Sequence, residues 1–156
     1  MDDETFLQRA VDLAAAGISR GDGGPFGAVI VKDGEVIAEG WNRVVATNDP
    51  TAHAEILAIR AACARLGRFH LEDCVLYASS EPCPMCLSAT YWARLQRIVF
   101  ANTRDQAAAI GFCDDDLYGE LCRPCHARSV PTRHLPLPGA GEPLRLWHEN
   151  PGRIAY

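Results

Sequence analysis

The chain has 156 residues, a length for which one domain is the default, and 48% of them are hydrophobic, enough for a sizeable core. Fifteen basic side chains against twenty acidic ones leave a net charge of −5, with Lys32 the single lysine and no basic run, which argues against a phosphate-holding face and for a small neutral substrate rather than nucleic acid. No apolar stretch approaches a membrane span, and the amino-terminal Met-Asp-Asp-Glu lacks the charged-then-apolar pattern of an export leader, so no membrane role is expected and a reducing cytoplasm is the expected setting.

Asp2 or Asp3 can cap a first helix, with Phe6, Leu7, Ala10, Val11 and Leu13 at helical spacing behind it. The glycine-rich residues 21–24 and Pro25 end it. Residues 26–31 read as a strand, Asp33-Gly34 as a hairpin turn and residues 35–40 as the returning strand. A helix follows from about His53 to about Leu66, with Thr51 as its cap and Ile56, Leu57 and Ile59 as its apolar face. Residues 75–78 form a buried strand, a helix runs from Cys83 to about Ala93, and residues 97–101 form another buried strand. Beyond Phe100 the pattern weakens into a loop over 111–116, a short helix over 117–125, an extended Pro- and Gly-rich stretch over 131–141, and a last helix over 142–150 carrying Leu144, Leu146 and Trp147. Strands alternating with helices predict an α/β fold, a three-layer α/β/α sandwich with a mixed sheet and helices on both faces, in a single domain spanning 1–156.

Two short motifs carry the chemistry, His53-Ala54-Glu55 and Pro82-Cys83-Pro84-Met85-Cys86. Their spacing is that of the zinc-dependent nucleobase deaminases, H-x-E followed by P-C-x-x-C. Zinc takes four ligands, and structural sites fill all four while catalytic sites commonly fill three. His53, Cys83 and Cys86 make three, and no fourth candidate lies close to either motif, so one position is expected to hold water. The metal lowers the pKa of that water from about 15.7 toward neutrality. Pro84 suits a first helical turn and places Cys83 at the cap, where the positive end of the helix favours a thiolate. Glu55 and His53 point about 200° apart in a regular helix, but near its first turn both reach one cavity. The expected role of Glu55 is general acid–base: it takes a proton from the activated water and returns it to a ring nitrogen and the departing amine. A structural zinc site and a redox C-x-x-C are the alternative readings.

Seven cysteines are present, an odd number, and two are assigned to the metal. Cys122-Arg123-Pro124-Cys125-His126 is a haem-attachment string by spelling, but that chemistry needs export. Cys113, Cys122, Cys125 and His126 suffice in type and number for a second, structural zinc; the alternative is free thiols in a reducing compartment. Cys63 and Cys74 read as packing.

The sequence resembles the cytidine deaminase-like superfamily, and more closely the bacterial guanine deaminases. The stretches that carry the resemblance are Gly23-Gly24-Pro25-Phe26-Gly27-Ala28-Val29-Ile30-Val31-Lys32, Asn48-Asp49-Pro50-Thr51-Ala52-His53-Ala54-Glu55, Glu81-Pro82-Cys83-Pro84-Met85-Cys86 and Tyr91-Trp92-Ala93-Arg94. The resemblance implies hydrolysis of the guanine 2-amino group to give xanthine and ammonia, with one catalytic Zn2+ per chain and a place in purine metabolism. It also implies a base pocket of Asn42, Phe26, Ala54, Trp92, Asp114 and Tyr156: Asn42 bonds the base, the ring lies between Phe26 and His53, and Trp92 lines the wall. Core packing remains the alternative for Phe26 and Trp92, and a turn for Asn42. Gly111-Phe112-Cys113-Asp114 resembles the family loop whose carboxylate contacts the base. A carboxylate suits guanine, which presents N–H groups at N1 and the 2-amino position, and suits adenine poorly. A solvated loop capping the next helix is the alternative for residues 114–116. The family forms a homodimer that exchanges its C-terminal segment, here about 112–156, to complete the partner's pocket. Cys113 stands where the family commonly has Asp, and the match weakens between about residues 121 and 150. The rival readings are a deaminase of another amino heterocycle or nucleoside (cytosine, guanosine, an aminotriazine), an adenosine deaminase of tRNA, and a non-catalytic zinc module that binds a protein partner.

Overall fold

The computed structural model describes residues 2–156. Helix α1 (Asp3–Arg20) opens on Asp2, whose carboxylate accepts from the Thr5 amide at 3.0 Å, and closes on Gly21 in left-handed backbone. Strands β1 (Gly27–Lys32) and β2 (Glu35–Trp41) form the expected hairpin, with Asp33 and Gly34 both at positive φ, as its tight two-residue turn requires. Then follow α2 (Val44–Thr47), α3 (Ala54–Leu66), β3 (Cys74–Ser80), α4 (Pro84–Trp92), β4 (Arg97–Asn102) and α5 (Arg104–Ala108). Neither α2 nor α5 was expected. The second had a legible signal, a capping box in which Thr103 and Gln106 satisfy each other's backbone amides.

The sheet runs β2-β1-β3-β4, antiparallel except for the parallel β3/β4 pair, which α4 connects by a crossover. Alternate residues of β1 face opposite ways. Val29 and Val31 pack with Phe6 and Ala10 of α1 and with Tyr77, while Ala28 and Ile30 pack with Ala54, Ala58 and Ala62 of α3 and with Leu76. A helix therefore covers each face, and the fold is the expected mixed-sheet α/β/α sandwich. Burying a side chain such as Ile30 or Leu76, both at 0% exposure, contributes roughly 1.5–3 kcal/mol each. Gly40 lets α3 approach closely: a Cβ there would collide with the Ala54 carbonyl oxygen and lie 2.8 Å from the Ala58 amide nitrogen. The glycine thus sets the depth at which the first turn of α3 sits over the sheet.

The expectation of a buried strand at 97–101 is corrected. β4 is an edge strand whose residues are half-buried or exposed, Phe100 included, because no further strand pairs with it among the described residues.

The chain divides into two compact units, Met1–Asp114 and Asp115–Tyr156. The second unit holds α6 (Asp115–Cys122), a 3₁₀ turn at Cys125–Ala127 and α7 (Glu142–Glu149). Helix α6 starts earlier than expected because Asp115 and Asp116 fit its acidic first turn, and it stops at Cys122 because Pro124 disfavours helical backbone before it. No residue of this unit is buried: Leu144, Leu146 and Trp147 of α7 are 73%, 55% and 46% exposed. Among the described residues no helix is long and apolar enough to cross a membrane.

Candidate active site

Both motifs sit at helix N-termini. His53 is the cap residue of α3, in extended backbone (φ −70°, ψ 154°), and Glu55 lies in the first turn. Cys83 is the cap of α4 (φ −64°, ψ 167°), with Pro84 in the first turn as expected. Thr51 is not the cap of α3: its hydroxyl and its amide both donate to the Asp49 carboxylate, closing the turn that leads into His53. Two helices thus bring the positive ends of their dipoles to one point, the arrangement that favours ionised sulfur.

His53 Nδ1 lies 3.6 Å from Cys83 Sγ and 3.5 Å from Cys86 Sγ. In a tetrahedron with metal–nitrogen near 2.05 Å and metal–sulfur near 2.3 Å, the nitrogen–sulfur edge is about 3.6 Å. These donors are therefore already spaced as zinc ligands, within 4.8 Å of one another. This is the single metal-competent group among the described residues. Within the second unit Cys122, Cys125 and His126 form no such cluster among the described residues, and all three are exposed.

Glu55 is 7% exposed, and its Oε2 accepts from Cys86 Sγ at 3.4 Å. Burial pushes its carboxyl above the usual carboxylate range, the direction that suits a group which must both take and return a proton near neutrality. The Cys83 thiol is pulled down to about 4, chiefly by the hydrogen bond from Cys86 and further by His53. Cys86 is pushed up by donating to Cys83, by burial and by the Glu55 charge. His53 is raised by its contact with the Cys83 sulfur, with Glu55 and Asp114 adding their fields.

The trio opens into a small cavity of about 50 Å³. His53, Glu55 and Cys83 line its floor. Phe26, Phe112, Asp114, Ala107 and Glu81 line the rest. Phe26 meets Phe112 edge-on, with ring centroids 4.8 Å apart at 87°. Sequence reasoning found Phe26 and Asp114 but missed Phe112, Ala107 and Glu81. Phe112 stood in the quoted loop, and Glu81 stood directly before the Pro-Cys pair at a strand end.

Asn42 is 4% exposed and does not line this cavity. Its Oδ1 accepts from the amides of Gly24 (3.2 Å) and Val44 (3.1 Å), which fixes the orientation of the amide, since a flipped NH2 would face two donors. The oxygen is therefore committed to the backbone, and Nδ2 donates to no acceptor among the described residues. Gly23 is required beside it, because a Cβ there would displace Oδ1. Ala54 is fully buried with its methyl in the core under α3, so it offers the pocket no side chain. Trp92 ends α4 at 67% exposure, neither in the core nor on the cavity wall. Tyr156 lies in the second unit, 71% exposed, its ring 6.2 Å from that of Trp147.

Comparison with known proteins adds four findings. Residues 1–102 match the family described as "Cytidine and deoxycytidylate deaminase zinc-binding region". The guanine deaminase of Bacillus subtilis (strain 168) is 50% identical over 156 residues, 100% of both chains, and its X-ray structure superposes with a TM-score of 0.97 over 100% of this chain and 99% of that one. The tRNA-specific adenosine deaminase of Aquifex aeolicus (strain VF5) is 45% identical over 92% of each chain. The crystal structure of NE0047 in complex with 2,6-diaminopurine has a TM-score of 0.69 at 38% identity, covering 72% of this chain and 63% of that one.

Proposed function

This chain belongs to the cytidine and deoxycytidylate deaminase family, and on that premise we propose that it hydrolyses guanine to xanthine and ammonia, a reaction of purine metabolism. It is a zinc-dependent hydrolytic deaminase. The observation that carries the reading is the juxtaposition of a zinc-spaced His53–Cys83–Cys86 trio with the buried Glu55 carboxyl, in a chain 50% identical end to end to a guanine deaminase.

His53, Cys83 and Cys86 hold the metal. A zinc ion bound there supplies a nucleophilic water at neutral pH, because it lowers the pKa of that water to about 7. Glu55 takes one proton from the attacking water and gives it to the ring nitrogen, then takes the second from the hydroxyl now on the amino carbon and gives it to the leaving amine, so that the carbonyl forms as the C–N bond breaks. Its burial raises the carboxyl above the usual carboxylate range, which favours taking up the proton it must then pass on. Phe26 and Phe112 hold the flat ring over His53 and keep bulk water away from the amino carbon. Asp114 accepts from the N–H groups of guanine, and Asn42 Nδ2, whose donors the anchored amide leaves unused, donates to a base acceptor.

That division of labour predicts the effect of Asn42→Asp. The carboxylate still accepts from Gly24 and Val44 but can no longer donate, so KM for guanine rises roughly tenfold to a hundredfold while zinc content holds at the wild-type level. Steady-state kinetics with metal analysis checks it; an unchanged KM removes Asn42 from the pocket.

Guanine itself is tested by ammonia release from zinc-loaded protein, against cytosine, guanosine and an aminotriazine. Turnover is expected to be fastest with guanine, and no release from folded, zinc-loaded protein would reject guanine while leaving the metal site standing. Adenosine in tRNA is the substrate of the Aquifex aeolicus relative, but 20 acidic against 15 basic side chains give this chain no surplus with which to hold phosphates. Tight, salt-sensitive tRNA binding would revive that reading.

The working state we assign is a homodimer in a reducing cytoplasm. Ligand thiols must stay reduced, and all seven cysteines are unpaired. Phe112 and Asp114 line the cavity of their own chain, so the segment we assign to exchange begins after them, at Asp115, and brings Tyr156 to the partner's site. Support comes from the lack of any buried residue over 115–156, since such a segment gains little stability until another surface covers its leucines and Trp147. Light scattering is expected to give twice the chain mass, and activity is expected to reappear when Glu55→Ala and Tyr156→Ala chains are mixed. A monomer at assay concentration, or no recovery on mixing, would overturn the exchange.

A further inference from the structure

Glu81 is absent from every role assigned so far, yet it lies on the cavity wall and joins two walls that are distant in sequence. It follows the end of β3 and precedes Pro82-Cys83, so its backbone is continuous with the cysteine loop. Its amide donates to the Asn102 carbonyl at 2.8 Å, and the Asn102 side chain donates back to the Ser79 carbonyl at 2.8 Å, which fastens this corner to the end of β4. The Glu81 side chain then reaches forward. Oε2 accepts from the Arg104 amide at 2.9 Å, one of the N–H groups that the first turn of α5 leaves without a helical partner. The capping box of Thr103 and Gln106 serves the neighbouring amides, so the start of α5 is held by two devices, only one of them local.

What α5 carries makes this tether matter. Ala107 lines the cavity, and its carbonyl accepts from the Phe112 amide at 3.1 Å, which ends the helix in a turn through Gly111 at φ 99°. Phe112 seats on Phe26, and Asp114 follows two residues later on the same wall. The path from Glu81 to the two groups that face the base is therefore one hydrogen bond, one short helix and one tight turn.

We propose that Glu81 is the positioning residue of the substrate wall: its carboxylate oxygen registers α5, and through it Phe112 and Asp114, against the loop that carries Cys83. The role rests on the deaminase reading above and deepens it. It requires an acceptor at the right reach and makes no use of charge in the chemical step.

Reach and charge are separable by substitution in the full-length, zinc-loaded protein. Glu81→Gln keeps a carbonyl oxygen at the same distance from Arg104. Glu81→Asp keeps the charge but withdraws the acceptor by one methylene. Hydrogen exchange of the Ala107, Ile110, Gly111 and Phe112 amides reads the tether with no substrate present. In Glu81→Asp and Glu81→Ala these amides are expected to exchange about tenfold faster than in the parent, with the amides of α3 and α4 unchanged and one zinc per chain retained. KM for guanine is expected to rise about tenfold in both, with kcat within about threefold of the parent, and Glu81→Gln is expected to recover most of that loss. Unchanged exchange in Glu81→Asp overturns the proposal. So does the reverse ranking, with Asp active and Gln losing kcat, which would assign the carboxylate charge to the reaction. A parent protein that releases no ammonia from guanine defeats the functional reading instead and leaves the exchange result to stand or fall separately.

Discussion

Replacing Glu55 with alanine is expected to lower kcat by about 10³-fold or more while the protein keeps one zinc per chain. Positioned proton transfer contributes about 10²–10⁴. Glu55 is held against the ligand cluster, 3.4 Å from Cys86 Sγ and 7% exposed. Glu81 cannot replace it, because one of its oxygens is engaged by the Arg104 amide. The metal is expected to stay, because the three donors are spaced for zinc without Glu55. Glu55→Gln tests the same point with the volume preserved: an amide cannot cycle a proton, so it is expected to be as slow as the alanine variant. Rapid turnover in either variant, measured as ammonia release beside metal analysis, would take the proton-shuttle role from Glu55.

Stripping the metal with a chelator is expected to abolish turnover and to lower the thermal midpoint by roughly 5–10 °C. The second figure follows from linkage: a ligand present at about 100 times its dissociation constant stabilises by about 2.7 kcal/mol, and each kcal/mol shifts the midpoint by roughly 2–4 °C in a domain of this size. The ligands come from the N-termini of two helices, so the ion is also expected to hold the first turns of α3 and α4 together. Added zinc is expected to restore both activity and midpoint. Residual turnover in protein verified as metal-free would contradict the assignment of the trio, and a midpoint that does not move would show that the ligand loops need no ion to hold their shape.

The path from sequence to site was uneven, and the unevenness has a physical pattern. His53, Glu55, Cys83 and Cys86 were legible because each motif spans a few residues and its geometry is set locally, by a helix cap and a first-turn proline. The β1–β2 hairpin was legible for the same reason, through Asp33-Gly34, as were the two faces of β1, through its alternating side chains. The capping box of α5 was equally local and was overlooked. Trp92 and β4 went differently. An apolar side chain or strand reads the same whether it is buried or at an edge, and only the order β2-β1-β3-β4 puts β4 on the outside. Asn42 was expected as a pocket amide; it lies off the cavity wall, and the capture of its oxygen by Gly24 depends on a loop returning across 18 residues.

By itself, then, the amino-acid sequence determined the ligand set, the placement of Glu55 beside it, the layered α/β fold and the family, because these depend on residue type at short spacing. Tertiary structure alone decided that the two motifs share one metal-sized point and that Glu81 bonds from the cysteine loop to the start of the helix leading to the wall with Phe112 and Asp114. Those outcomes depend on sheet register and on which loop tips meet above the strand ends, distances that no local pattern encodes.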